Sequence, residues 1–383
     1  MVLRFFTAGE SHGQGILTLI EGLPAGLRID PDFVNRELGR RQKGYGRGRR
    51  MSIESDEAIF LSGVYKGETT GAPVTIMVRN RDWENWKDVM DPFNYTTDKS
   101  FTVPRPGHAD LAGMIKYRVR DGRAILERAS ARETAGRVAG GAVFKLLLME
   151  LGIEVASYVK RIGPVELERK PTWEEIVKAE EDPLRCPDGD VSKKMREYID
   201  SVREEGDTVG GVFVCVARNV PVGLGSHVHW DRRLDARISM AMMSIQGVKA
   251  VAIGDILDMK SLRGSEFHDE INYDRQRGFF RETNRAGGIE GGISNGEDIV
   301  VYCYMKPIPT LMRPLASVDV VSKESTSAYR ERSDVVAVTP ASVVGEAMLS
   351  YVLADAVLEK FGNDSIKDIL KRYSEYMDEV KNF

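Results

Sequence analysis

Apolar positions along this chain follow helical spacing in some stretches and short strand-like runs in others. Residues 124–151 make the longest helical pattern, with Leu126, Ala129, Val138, Val143 and Leu147 among its apolar positions and Gly152 as its stop. A second long helix is predicted over 340–361, capped by Thr339, and an amphipathic one over 231–245. Asp30-Pro31 sets an N-cap residue before proline at the first helical position, so a helix should run through Phe33, Val34 and Leu38 to Gly44. Residues 72–78 (APVTIMV), 209–220 and 299–305 read as strands. Residues 171–207 are strongly charged and predict a solvated helical excursion. Helices are long, strands are scattered, and regular βαβ alternation is missing, which gives an α+β class and argues against a Rossmann sheet. With no internal repeat or low-complexity linker, residues 1–383 are expected to form a single domain.

Composition narrows the partners. At 42% hydrophobic residues the chain can bury a sizeable core, and its formal net charge of −4 argues against wholesale binding to nucleic acid or an anionic membrane. Any anionic ligand must be met by a local patch. Cys186, Cys215 and Cys303 are far apart and form no CxxC pair, so neither a zinc site nor a disulfide framework is indicated. The opening MVLRFFTAGESHG lacks the features of a signal peptide, and no apolar run approaches the ~20 residues that cross a bilayer. A cytoplasmic protein with reduced thiols is the expectation.

The local patch exists. Residues 40–50 (RRQKGYGRGRR) hold six cations and no acid, threaded by Gly44, Gly46 and Gly48. Glycine lets backbone approach a ligand, and arginine forks match phosphate or carboxylate in two-pronged fashion. A solvated basic loop would read the same way. Residues 7–15 (TAGESHGQG) set His12 among Ser and Gly with no apolar face, and residues 104–111 (PRPGHADL) hold Arg105 and His108 on a proline-stiffened loop. Two loop-held histidines beside an arginine patch point to proton transfer next to an anion. Residues 126–137 (LERASARETAGR) fit either a site or a polar helix face, in which Glu127 and Glu133 offset Arg128 and Arg132. Residues 287–296 (GGIEGGISNG) form a backbone-exposing loop, and KPIPT (306–310) and ERSD (331–334) put charge beside rigid or turn elements. His227 and His229 alternate as on a strand, without the further ligands a metal would need.

TAGESHG, RQKGYGRGRRM, RPGHADL, RASARET, VPVGLGS, DRRLDAR, KPIPT and ERSD occur in this order. In that order the chain resembles the chorismate synthase family from about residue 4 to about residue 360. The resemblance implies a β-α-β sandwich, with antiparallel sheets flanking a helical core, assembled as a homotetramer. It implies conversion of 5-enolpyruvylshikimate 3-phosphate to chorismate by 1,4-anti elimination of phosphate, dependent on reduced FMN. By the same resemblance Arg41, Arg47, Arg50, Arg105 and Arg132 bind substrate, while His12 protonates the leaving phosphate. His108 holds a proton beside the flavin, and Asp334 relays the last one. FMN contacts are implied for Arg128, Ala129, Ser130, Gly291, Lys306, Pro307, Ile308, Pro309, Thr310 and Arg332. Gln246-Gly247 stands where family members often carry Asn-Ala, which leaves a backbone contact possible. No motif gives Arg40 or Arg49 a role. Some members reduce their own flavin with NAD(P)H; the compact length favours an external reductant here. An RNA clamp built on the glycine-arginine loop has only Tyr45 to stack on a base, and a dinucleotide-dependent dehydrogenase has no fingerprint for its cofactor.

Overall fold

The computed structural model describes residues 3–48, 55–96, 99–255, 261–329 and 334–383. Two antiparallel sheets enclose layers of helices. The first sheet is built from β1 (Arg4–Ala8), β2 (Gly15–Glu21), β3 (Ala58–Ser62) and β4 (Val74–Arg79), in the order β1-β2-β4-β3. Its strands alternate: Ile16, Thr18 and Ile20 face inward while Leu17 and Leu19 face out. The second sheet runs β8-β9-β7-β5-β6, from β5 (Glu154–Ile162), β6 (Val165–Glu166), β7 (Gly211–Arg218), β8 (Val248–Ile253) and β9 (Ile299–Met305). Its central strand, β7, is buried along nearly its whole length. Strand predictions for 72–78, 209–220 and 299–305 meet β4, β7 and β9 within two residues at each end.

Ten helices matter to the site and core: α1 (Pro31–Gln42), α2 (Trp83–Met90), α3 (Asp110–Tyr117), α4 (Arg123–Ala129), α5 (Thr134–Met149), α6 (Trp173–Lys178), α7 (Gly189–Glu204), α8 (Leu234–Met243), α9 (Val338–Phe361) and α10 (Ile366–Lys381). The α5 helix packs on the first sheet, α9 on the second, and the two pack on each other, with α1 and α8 filling the flanks. Small residues permit the close approach. A Cβ added at Gly141 of α5 would sit 2.2 Å from the Cβ of Ala347 on α9.

Local chemistry explains where prediction and structure part. Asp30 caps α1 as expected, accepting from the N–H groups of Asp32 and Phe33 at 3.0 and 3.1 Å, but the helix ends at Gln42, short of Gly44. The single helix predicted over 124–151 is two. Ser130 is extended (φ −61°, ψ 142°) and its hydroxyl accepts from Arg132 N–H, so a 3₁₀ turn separates α4 from α5. Thr339 is no cap: α9 starts one residue earlier, and Pro340 is accommodated in its first turn. The helix over 231–245 opens as a 3₁₀ turn, Trp230–Arg232, before α8. His227 and His229 lie in the preceding loop, not on a strand. The 171–207 excursion is helical but only partly solvated. Met195, Ile199 and Val202, spaced along one face of α7, join the main core. Finally, α9 is long and apolar enough to cross a membrane by length and composition, yet 94% of its apolar window is buried inside the fold. Glu346 and Asp355 interrupt the run and conceal it from a search for unbroken apolar sequence.

Glu346 sits at the centre of the helical layers, wholly buried. Its carboxylate accepts from Arg40 Nη1 (2.8 Å), Arg185 Nη2 (2.6 Å), Lys145 Nζ (2.5 Å) and Ser157 Oγ (2.6 Å). Glu37 accepts from Arg40 and Lys145 as well. Five parts of the chain are joined here: α1, α5, β5, α9 and the segment between α6 and α7. Burial alone would raise the Glu346 carboxyl, but Arg40, Lys145 and Arg185 outweigh it and hold it well below the usual range. Replacing Glu346 by alanine strands those cations and should cost about 3–5 kcal/mol in urea unfolding; a loss under about 1 kcal/mol would remove the cluster from this role. Because its folded pKa is depressed, the stabilisation is complete above about pH 4.3, the ordinary glutamate value, and disappears as pH falls through the lower folded value. Wild-type stability should therefore drop more steeply on acidification than that of Glu346→Gln.

Candidate active site

A cavity of about 560 Å³ opens where several chain segments converge. These are the loop after β1, the loop after α1, the 104–109 loop, the break at Ser130, the turn after α8, the segment after β9 and the first turns of α9. Its volume suits a small-molecule ligand. Apolar side chains such as Leu126, Ile245, Met305, Pro340 and Val344 make part of the wall. Among the described residues five cations, Arg41, Arg47, Arg105, Arg132 and Lys306, reach the same lining, where Asp334 is the one carboxylate.

Carboxylates stand behind these arginines and set their directions. Buried Asp56 bridges two of them, accepting from Arg41 Nη2 and Arg132 Nη1 at 2.6 Å each. Arg132 also donates to Asn80 Oδ1 (2.7 Å) and the Arg79 carbonyl (3.2 Å). Burial would raise the Asp56 carboxyl; Arg41 and Arg132 together bring it below its ordinary value. Asp334 pairs with Arg47 at 3.0 Å and accepts from Gly48 N–H at 2.7 Å. Burial pushes the Arg47 guanidinium down despite Asp334, and its Nε, buried, has no hydrogen-bond partner among the described residues. An anion in the cavity would relieve that cost.

Both loop histidines line the cavity, each with a carboxylate at its Nδ1. His12 is buried, 2.9 Å from Glu127, and its ring stacks on Trp86 with centroids 4.0 Å apart. Burial raises the Glu127 carboxyl, and the His12 ring and backbone N–H, with Arg123, reverse the shift to below the usual range. His108 meets Asp110, the first residue of α3, at 2.5 Å. Asp110 also accepts from the Arg105 backbone N–H (3.0 Å) and Nε (2.8 Å). Against the burial that would raise it, His108 and Arg105 hold the Asp110 carboxyl far below its ordinary value. Gly107 makes the turn between them at φ +80°, and Lys306 Nζ donates to its carbonyl.

Of the residues expected to hold a flavin, Ala129, Ser130, Gln246, Gly247 and Lys306 to Thr310 line the cavity. Gln246 donates to Glu133 at 2.9 Å, which leaves its Oε1 buried without a partner among the described residues. Arg128 and Gly291 are not in the lining. Arg128 instead donates to the Thr7 and Gly9 carbonyls and so holds the His12 loop onto α4, and Gly291 turns a short hairpin after Ile289–Glu290. Arg50, Arg332 and Arg49 lie outside the described residues. Arg40, left without a role, is the core anchor on Glu346. His229 pairs with Asp231 at 2.7 Å on the surface, and no group of three metal-ligating side chains occurs among the described residues. Sequence reasoning missed Asp56, Trp86, Asp110 and the role of Glu127. Asp110 was the legible one, two residues after His108.

A family model for chorismate synthase matches residues 3–358. Chorismate synthase of Aquifex aeolicus (strain VF5) is 52% identical over 393 aligned positions, covering 100% of this chain and 99% of the relative. That of Geobacter sulfurreducens is 53% identical, with 100% of both chains covered. A crystal structure of chorismate synthase superposes with a TM-score of 0.81 at 44% identity, covering 100% of this chain and 99% of the other. With the antiparallel sheets around a helical core, the chain belongs to the chorismate synthase family.

Proposed function

We propose that this chain is a lyase that converts 5-enolpyruvylshikimate 3-phosphate to chorismate and phosphate by 1,4-anti elimination, with reduced FMN as cofactor. The observation that carries this reading is the convergence of five cations and two carboxylate-bound imidazoles on one partly apolar cavity. The arginines grip the substrate's phosphate and carboxylates, with Arg41, Arg132 and Arg47 forming one wall and Arg105 another. Their guanidinium planes are fixed in advance by Asp56, Asp110 and Asp334, so little reorganisation accompanies the departure of phosphate. His12 gives a proton to the leaving phosphate, His108 holds one beside the flavin, and Asp334 serves the last proton transfer.

Gln246 Oε1 and the apolar wall suit a flat, hydrogen-bonding ring, so the residues present fit FMN. Ala129, Ser130, Gln246, Gly247 and the 306–310 segment would hold it, and the group bound there would supply electron density to assist phosphate loss and an acceptor for the ring hydrogen. In this proposal the reductant is external. The enzyme works in the cytoplasm as a homotetramer. Self-association is supported by the outer face of the first sheet, where Phe6, paired across the sheet with Leu19, is exposed together with Leu17 and Leu61.

Under anaerobic conditions, enzyme with reduced FMN and 5-enolpyruvylshikimate 3-phosphate should release chorismate and phosphate in equal amounts. No turnover with both present would sink the proposal. His12→Ala and His108→Ala should each slow turnover by about 10²–10⁴-fold, the scale of lost acid–base help, with unchanged circular dichroism. Arg47→Ala should instead act mainly on KM, raising it by roughly tenfold or more, since it removes a charge-assisted contact made before and during reaction. Steady-state kinetics on the three variants would expose the opposite pattern.

A further inference from the structure

Glu127 has a side chain with no exposed surface, and both of its oxygens reach His12. Both lie 2.9 Å from His12 Nδ1, and Oε2 also accepts the His12 backbone N–H at 2.9 Å. Arg123 Nη1 stands at 3.5 Å from Oε1. Trp86 closes the face of the ring, its plane 26° from that of the imidazole. The ring is thus held along two directions, edge-on by a carboxylate and face-on by an indole.

We infer that Glu127 is a positioning residue that fixes which nitrogen of His12 carries the exchangeable proton. An ionised carboxylate only accepts, so Nδ1 facing it must be N–H in both the neutral and the charged imidazole. Nε2 is then the atom that loses or gains the proton. Resting on the reading above, in which His12 protonates the departing phosphate, the transfer breaks the Nε2–H bond and forms an O–H bond on phosphate. The N–H electron pair stays on Nε2, and the neutral Nδ1–H tautomer remains. No proton has to reach Glu127. Trp86 keeps the ring from turning about its long axis, so Nε2 holds one heading.

A near-isosteric substitution tests this sharply, because the geometry dictates how glutamine must sit. The backbone N–H of His12 can only donate, so the amide oxygen of Glu127→Gln has to take the Oε2 position. The amide NH₂ then takes the Oε1 position, 2.9 Å from Nδ1, and puts a donor where the carboxylate offered a second acceptor. On this inference Nδ1 accepts from that donor, and the neutral ring shifts to the Nε2–H tautomer. In a serine protease, the wrong tautomer at a catalytic imidazole costs about 10⁴ in kcat.

The experiment is solid-state ¹⁵N NMR of histidine-labelled full-length protein at about pH 8.5, where ordinary imidazole is neutral. The His12 signals are assigned by their loss in His12→Gln, and steady-state kinetics are run alongside. Expected are a protonated Nδ1 and bare Nε2 in wild type and in Glu127→Asp, and the reverse in Glu127→Gln. Turnover in Glu127→Gln should fall by about 10²–10⁴-fold with KM within about threefold. A proton on Nε2 in wild type, or an unchanged tautomer in Glu127→Gln, overturns the inference whatever the turnover. So does an inverted tautomer with full kcat. Wild type that shows the expected tautomer but eliminates no phosphate would refute the proposed reaction alone, since the spectra judge Glu127 independently.

Discussion

The Arg40–Glu346 ion pair ties the architecture to the site. Consecutive residues on a helix point about 100° apart, and the last turn of α1 uses that turn to divide labour. Arg40 enters the core and meets a fully buried carboxylate on α9, while Arg41 enters the cavity. A mis-seated Arg40 would carry Arg41 with it. The first turns of α9, whose Pro340, Ala341 and Val344 line the cavity, are held by the same carboxylate two residues further on. Burying so many charges is costly, and a hydrophobic replacement of similar shape would often be as stable. What the cluster adds is registration of five separate segments around one point.

The same principle recurs at the cavity with different consequences. The arginines that line the cavity are each backed by a carboxylate that already satisfies part of the guanidinium: Asp56 behind Arg41 and Arg132, Asp110 behind Arg105, Asp334 beside Arg47. Without those anions the cations would repel one another and swing apart. With too many of them the cavity would lose its positive charge. The balance remains positive at the lining, where among the described residues five cations meet one carboxylate, although the chain as a whole is negative. Histidines are treated alike, with Glu127 and Asp110 at Nδ1. Directional fixing before the ligand arrives is what makes electrostatic stabilisation effective at the moment charge moves.

Much of this was legible in the sequence, and the failures have physical causes. The α1 cap at Asp30, the strand at 299–305 and the loop placement of His12 and His108 depend on neighbours close in sequence, so local pattern was enough. The break at Ser130 was hidden because its polar flank, LERASARET, also fits one face of a continuous helix. In the folded chain that face is not solvated: Glu127 and Glu133 are buried and spend their charge on His12, Arg137 and Gln246. Asp56 pairs with residues far from it in sequence, and Trp86 reaches His12 from a helix with no buried residue of its own. Neither relation has a local signature. The dense basic stretch at 40–50 looked like one feature and is at least two, since Arg40 is a core residue and Arg41 and Arg47 are cavity residues.

The central claim is that one cavity holds a multiply anionic substrate and a flavin together. Isothermal titration calorimetry tests it most directly, with FMN titrated into protein already saturated with 5-enolpyruvylshikimate 3-phosphate, and the reverse. The account predicts one of each bound per chain, neither displacing the other, with substrate affinity lost in Arg41→Ala and Arg47→Ala. Competition between the two ligands, or full substrate affinity in both variants, would contradict it.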